Sequence, residues 1–469
     1  MMRALTVALS TFALAGIACS KDLASVYQDA LESDPLIREA DANRNAAREA
    51  RPQARANLLP QIEGSVQASR NPSESTQPDF QVDPATGDII IVPISSESDT
   101  DSEGYTLQAR QSVFSWENWV TLRRASKEVA QAEADFRAAE QDLILRVSER
   151  YFEVLSQRDN LDAQQAALDA TSRQLEQAEK RFEVGLIAIT DVQEAKAARD
   201  TGAAAVIATK RSLATAEELL REVAGQRYEQ LAKPAEGMPL ATPEPADAER
   251  WVELSMNRNL ALTSSRLAAD IARDNVGIAR SGHFPSLDLV ASRNDVKNDV
   301  DTTVLGSPPR AFETERTDDR IELQLSVPIF SGGRTSSLTR QSQFRWIAAR
   351  ERFERTSRET ERLARDSYLG VISEIARVQA LRQALESSQT ALKATEAGYE
   401  VGTRTAVDVL DARRTLVQAQ TNYSRSRYDY ILNVIRLRQA AGELDAATVK
   451  EINQWLTETA PPASAPPQQ

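Results

Sequence analysis

The chain has 469 residues, of which 41% are apolar, 27% charged and 5% aromatic, with 17 Gly and 19 Pro; collagen-like and low-complexity chains are excluded. A net charge of −13 argues against a nucleic-acid partner held by phosphate neutralisation. One Cys excludes an intramolecular disulfide or a Cys-built zinc cluster, and one His makes His-based catalysis a poor expectation.

In chain order, residues 1–20 place Arg3 before an uncharged apolar run, Ala4 to Cys19. The run is too short to span a bilayer and has the layout of a secretory signal cleaved after Ser20. The alternative is a lipoprotein signal with Cys19 as the modified residue. No later segment has the 18 or so consecutive apolar residues of a membrane helix.

Beyond residue 20 the chain is written twice. FEVGLIAITDV (182–192) returns as YEVGTRTAVDV (399–409) at an offset of 217, and Ala224-Gly225 returns as Ala441-Gly442. LPQIEGSVQASRN (59–71) is echoed by FPSLDLVASRN (284–294) at an offset of 225, so insertions fall between the anchors. Two structural repeats are expected, 21–225 and 250–445, joined by a Pro-rich linker, 226–249. A C-terminal segment, 446–469, ends in a Pro-rich disordered tail from 460.

The first repeat reads as a helix over about 22–57, strands near 61–70 and 104–114, a long helix over about 117–183, a hairpin and a helix over 190–224. The second reads as a helix over 247–281, strands near 286–294 and 319–330, a long helix over about 334–400, a hairpin and a helix over 406–441. Val154, Leu161, Leu168, Leu175 and Phe182 recur every seven residues, as do Val371, Val378, Leu385, Leu392 and Tyr399. A sustained heptad marks a coiled-coil seam, and a helix of this length is a rod of roughly 100 Å. The economical arrangement stacks two short helices beside each long one in a wall of antiparallel helices.

Segment 319–330 alternates, with Ile321, Leu323, Leu325, Val327 and Ile329 on one face. Segment 104–114 puts Tyr105, Leu107, Ala109 and Val113 together, with Gln111 as the exception. Each segment has the length of a tilted membrane strand, yet alternation alone also suits a sheet lying on a soluble core. The exported character and the lack of any spare element to cover the sheet favour the membrane. Four strands close no barrel and open edges cannot lie in lipid, so several chains must share one barrel. The stretch 72–103 holds eight acids and no Lys or Arg, and is expected to be an external loop. Trp116 and Trp119 fit either an interfacial belt or packing at a helix start.

Both long helices stop at a Gly, Gly185 and Gly402, suited to a left-handed cap in a hairpin turn. Thr190 with Gln193, and Thr405 with Asp408, read as capping boxes on the following helices. Asp191 and Asp408 fall in first turns, where an acid offsets the helix dipole; Asp408 and Asp411 share a helix face by i,i+3 spacing. Repeated around an axis, that pair gives two acidic rings, which select cations.

FEVGLIAITDVQEA (182–195) and GYEVGTRTAVDVLDA (398–412), with LLPQI (58–62) and SVPIFSGG (326–333), resemble the TolC family of outer-membrane channel proteins of Gram-negative bacteria, over about 21–445. The resemblance implies an α+β membrane protein: a homotrimer with one twelve-stranded β-barrel, four strands per chain, continuous with a long periplasmic α-helical coiled-coil barrel. It implies a passive export duct of a tripartite efflux or type I secretion system. Its partners would be a periplasmic adaptor and an inner-membrane transporter of the RND, ABC or MFS type. Gate contacts fall on Thr190, Asp191, Tyr399 and Arg404, with Tyr399 bonded to Asp191 and Arg404 to a neighbouring Thr190 or carbonyl; the pore acids fall on Asp408 and Asp411. The rival from another class is a trimeric periplasmic tether or adhesin without a lumen. No nucleotide-binding, zinc-protease, redox or nucleophile-elbow pattern occurs, so no enzyme and no cofactor is expected.

Overall fold

A computed structural model describes residues 21–305 and 307–459; the expected signal segment with Cys19 and the tail from 460 lie outside the described residues. Its elements are α1 (Leu23–Ser33), α2 (Pro35–Arg48), α3 (Ala50–Ala56), β1 (Gln61–Val82), β2 (Ile89–Phe114), α4 (Trp116–Glu183), α5 (Ile189–Ala224) and β3 (Ala232–Pro234). The second half continues with α6 (Ala248–Arg258), α7 (Leu260–Ser281), β4 (Ser286–Val304), β5 (Arg310–Ser326), α8 (Arg334–Glu400), α9 (Ala406–Ala440), α10 (Ala446–Asn453) and β6 (Leu456–Thr459). No described helix is long and apolar enough to cross a membrane. The chain forms two compact units built from interleaved segments: one from residues up to Arg44 with Glu133–Ser265 and the part from Arg352 on, the other from Asn45–Ala132 and Arg266–Glu351.

The second unit carries a four-stranded antiparallel sheet of order β1-β2-β4-β5. Its register aligns Ile62 with Ala109, Val66 with Tyr105, Gln111 with Leu289, Leu289 with Leu323, and Leu287 with Leu325. Side chains alternate across a pleat, so these positions share one face. That face is apolar and bare: Val66 is 86% exposed and Ile321 81%. The opposite face is polar, with Arg110 paired to Asp288 at 2.7 Å and Thr106 donating to Asn294 at 2.8 Å.

The strands run further than expected. Residues 72–103 are not a loop: β1 and β2 span 22 and 26 residues and pair all the way to Val82 and Ile89. A ribbon of 22 residues is roughly 70 Å long, more than twice a hydrocarbon core, so its outer part can be acidic and watered without losing its ladder. Arg70 bridges Asp99 and Asp101 at 2.7 and 3.7 Å, and the turn closes where Asp83 Oδ1 accepts from the Ala85 amide at 2.8 Å. In the other direction β5 stops at Ser326, so Val327 to Phe330 lie outside the strand; Pro328 has no amide to donate to a ladder.

The helix expected over 22–57 is three helices. Asp34 takes an extended backbone before Pro35, and its buried carboxylate receives Arg146 at 2.5 Å. The helix expected over 247–281 breaks at Asn259, which accepts from the Leu262 amide at 3.0 Å and donates to the Ala440 carbonyl at 3.1 Å. The linker is not free either: β3 pairs with β6, and the buried Tyr151 hydroxyl of α4 donates to the Ala232 carbonyl at 2.7 Å. The core of the first unit gathers Leu23, Val26, Tyr151, Phe152, Ile431 and Ile435. Along the heptad, Val154, Leu161, Val371 and Val378 are buried, while Phe182 is 41% exposed and Leu385, Leu392 and Tyr399 are half-buried. The seam is sealed at its middle; toward the first hairpin a smaller apolar cluster of Leu175, Ala178, Val192 and Ala195 closes it again.

Candidate gate at the paired helical hairpins

The two hairpins, α4–α5 and α8–α9, belong to the first unit. Gly185 and Gly402 take φ of 76° and 79°. At the first, the Leu186 amide donates to the Arg181 carbonyl and the Gly185 amide to Phe182, both at 2.9 Å. At the second, Thr403 donates to Gly398 at 2.8 Å and Gly402 to Tyr399 at 3.1 Å. Each pair is a Schellman closure, which satisfies the last carbonyls of the helix and turns the chain sharply.

The starts of the next helices differ. Thr405 caps α9: its hydroxyl accepts from the Asp408 amide at 3.2 Å, and Asp408 accepts from the Thr405 amide at 2.9 Å, a complete capping box. The bonds its carboxylate accepts from the Thr405 amide and hydroxyl, aided by Arg404, hold the Asp408 carboxyl below its usual range. Thr190 is not the cap of α5. That helix starts at Ile189 behind Ala188, which has no side-chain acceptor to offer. The repeat offset equates Ala188 with Thr405 and Asp191 with Asp408, so the first copy keeps the first-turn acid and lacks the cap.

Asp411 lies one turn beyond Asp408 on the same face of α9 and pairs with Arg414 at 3.3 Å at an exposed site. The Tyr399 ring lies under the Arg181 guanidinium at 5.3 Å, a cation–π contact from one hairpin to the other. Among the described residues, no hydrogen bond joins Tyr399 to Asp191, or Arg404 to Thr190, within the chain. Arg413 reaches Glu396 at 2.6 Å, and with Arg173, Lys180, Arg181 and Tyr399 these residues line a groove of about 770 Å³. No motif in the sequence marks Arg181 or Arg413. Arg413 and Glu396 are 17 positions apart across the turn, and no local spacing reports that contact. Among the described residues, no group of three or more His, Cys, Asp or Glu is arranged to hold a metal ion.

With this geometry in place, similarity decides the family. The outer membrane efflux protein family model matches residues 26–226 and 251–443. The chain belongs to the outer membrane efflux protein family. It is 39% identical over 437 residues to the outer membrane protein TolC of Vibrio cholerae, covering 93% of this chain and 94% of that one. It is 30% identical to the alkaline protease secretion protein AprF of Pseudomonas aeruginosa, covering 90% and 85%. Among solved structures, the outer membrane protein VceC of Vibrio cholerae superposes with a TM-score of 0.70 at 21% identity, covering 90% of this chain and 96% of that one. The chain is therefore an outer-membrane export channel protein, a transport protein rather than a family of catalysts.

The missing cap gives a prediction. Ala188→Thr should supply the acceptor that Thr405 provides in the second hairpin and slow amide exchange through 188–193, by about fivefold for a cap worth about 1 kcal/mol. Thr405→Ala should speed exchange at 405–410 by a similar factor. Unchanged exchange in both variants would show that the caps do not set hairpin stability.

Proposed function

We propose that three copies of this chain close a twelve-stranded barrel in the outer membrane, continuous with a helical tunnel in the periplasm. The observation that supports it most is the sheet: one face apolar and bare, the other polar, with β1 and β5 unpaired at its edges. In hydrocarbon each free backbone group costs several kcal/mol, so β5 of one copy must meet β1 of the next. Four strands per copy reach a closed, water-filled barrel at three copies, and the polar face becomes the lumen.

In this reading the duct is passive and is opened at its periplasmic end when an adaptor and an inner-membrane transporter of RND, ABC or MFS type dock. The similarity to a protein named for alkaline protease secretion supports protein export among its cargoes. The hairpins form the gate. Asp191 and Thr190 on one, and Tyr399 and Arg404 on the other, are half-buried or exposed and so available for links between hairpins of neighbouring copies. The Arg181–Tyr399 contact holds the two hairpins of one copy together. Asp408 and Asp411 would stack as two rings of three carboxylates, and the depressed pKa of Asp408 keeps its ring charged well into acid. A tether without a lumen has no use for these paired acids and does not accord with an export family.

Two measurements test the gate. Tyr399→Phe with Arg404→Ser should raise single-channel conductance in planar bilayers severalfold, on the order of threefold, by loosening the constriction; an unaltered conductance would remove the gate from these residues. Asp408→Ala with Asp411→Ala should weaken block by trivalent cations by about tenfold or more. Because the Asp408 carboxyl is held below the usual aspartate range, the part of the block that depends on it should persist through that range and fade only at lower pH, as that carboxylate takes up a proton. Equal block in the double variant would dispose of the rings.

A further inference from the structure

The sheet-bearing unit divides sharply by charge. Residues 61–114 and 286–326 hold 18 Asp and Glu against 7 Arg and Lys. The helical segments of the same unit, 45–57, 116–132, 266–281 and 334–351, hold 13 Arg and Lys against 6 acids. All four helices join the sheet at one end, where Gln61 aligns with Arg110, Phe114 with Leu287 and Ser286 with Ser326. A bare apolar band lies at that same end, separate from the exposed Phe80, Val82 and Ile89 to Ile91 at the far tip. Ile62, Leu107, Leu289 and Leu323 each lie six to eleven residues along the chain from a helix. Cations therefore begin where the apolar band stops.

On α4 the sequence of that change can be followed along one stripe: Trp116, Trp119, Arg123 and Lys127. Trp119 is 56% exposed. Arg123 and Lys127 both reach the buried carboxylate of Asp274 on α7, each at 2.8 Å. Around that neutralised centre opens a cleft of about 600 Å³, and Arg273 and Arg280 of α7 and Trp346 of α8 complete its wall. Among the described residues Arg273 and Arg280 form no ion pair, and both are exposed. The cleft thus holds four cations against one acid, with an indole and Val276 as apolar wall.

We propose that this cleft binds the headgroup of an anionic phospholipid in the leaflet that borders the helices. The charge is complementary to a phosphate with no balancing amine. The position, within two helical turns of the exposed Trp119, is where headgroups lie below a membrane-spanning band. The apolar wall suits the glycerol and first methylenes, which a free inorganic anion lacks. This rests on the membrane reading above.

The test uses the full chain in its native assembly, embedded in nanodiscs of equal phosphatidylglycerol and phosphatidylcholine and released for native mass spectrometry of the lipids retained. The unmutated protein should retain phosphatidylglycerol over phosphatidylcholine, and the preference should collapse when the nanodiscs are washed at high salt. Arg273→Gln with Arg280→Gln leaves the Asp274 pairs intact and should lower the preference by roughly 25-fold, about fivefold for each charge lost near an anionic surface. Arg273→Lys with Arg280→Lys should preserve it. Equal retention of the two lipids, or a preference that survives the glutamine pair, overturns the proposal. So does a changed anion conductance without a changed lipid preference, which would make the cleft part of the conduit. Conductance recorded on the same samples separates the two claims: a conducting channel without lipid preference defeats only the cleft, whereas a protein that neither conducts nor retains lipid defeats the membrane reading.

Discussion

Two strand edges govern this molecule. β1 and β5 close a sheet on neither side, yet one face of that sheet is a continuous apolar surface with no element of the described chain to cover it. In water such a face would aggregate, and in lipid such edges would be intolerable. The proposed barrel answers both at once: edge joins edge between copies, and the apolar face meets acyl chains. The charge of the helices where they leave the sheet, and the acidity of the ribbons beyond the band, then become what each side of a membrane requires.

The proposed gate at the hairpins meets a different problem. A gate must hold and also release, so its contacts should be few and partly wet. The heptad seam is buried at Val154 and Val371 but only half-buried by Leu392 and Tyr399, so packing weakens toward the turns. Beside a small apolar cluster of Leu175, Ala178, Val192 and Ala195, the contacts there are polar: a cation over a ring, Arg413 on Glu396, and a capping box on one hairpin only. An uncapped α5 beside a capped α9 gives the two repeats unequal local stability, although their sequences descend from one pattern.

Much of this architecture is legible in the residues. The seven-residue recurrence lies on α4 and α8, and Gly185 and Gly402 mark their ends because a left-handed turn needs them. The inner halves of the strands show in their alternation. The outer halves of β1 and β2 do not, because the stretch around Ser95 to Glu103 is dense in Ser, Asp and Glu, which read as loop, and the apolar run at Ile89 to Ile91 does not alternate. The breaks at Asp34 and Asn259 escape notice because their reasons are distant: a partner on α4 for one, a carbonyl of α9 for the other. Thr190 looks like a cap by composition, but the helix begins one residue before it. β3 and β6 are too short to carry any pattern.

Everything in the proposed channel depends on the two free edges finding each other between copies. The direct measurement is the protein mass of the detergent-extracted particle, by light scattering with the detergent contribution subtracted. Three chains per particle are predicted, each the 51.7 kDa chain less the signal segment expected over residues 1–20. A stable particle containing a single chain, with β1 and β5 still unpaired, would contradict it.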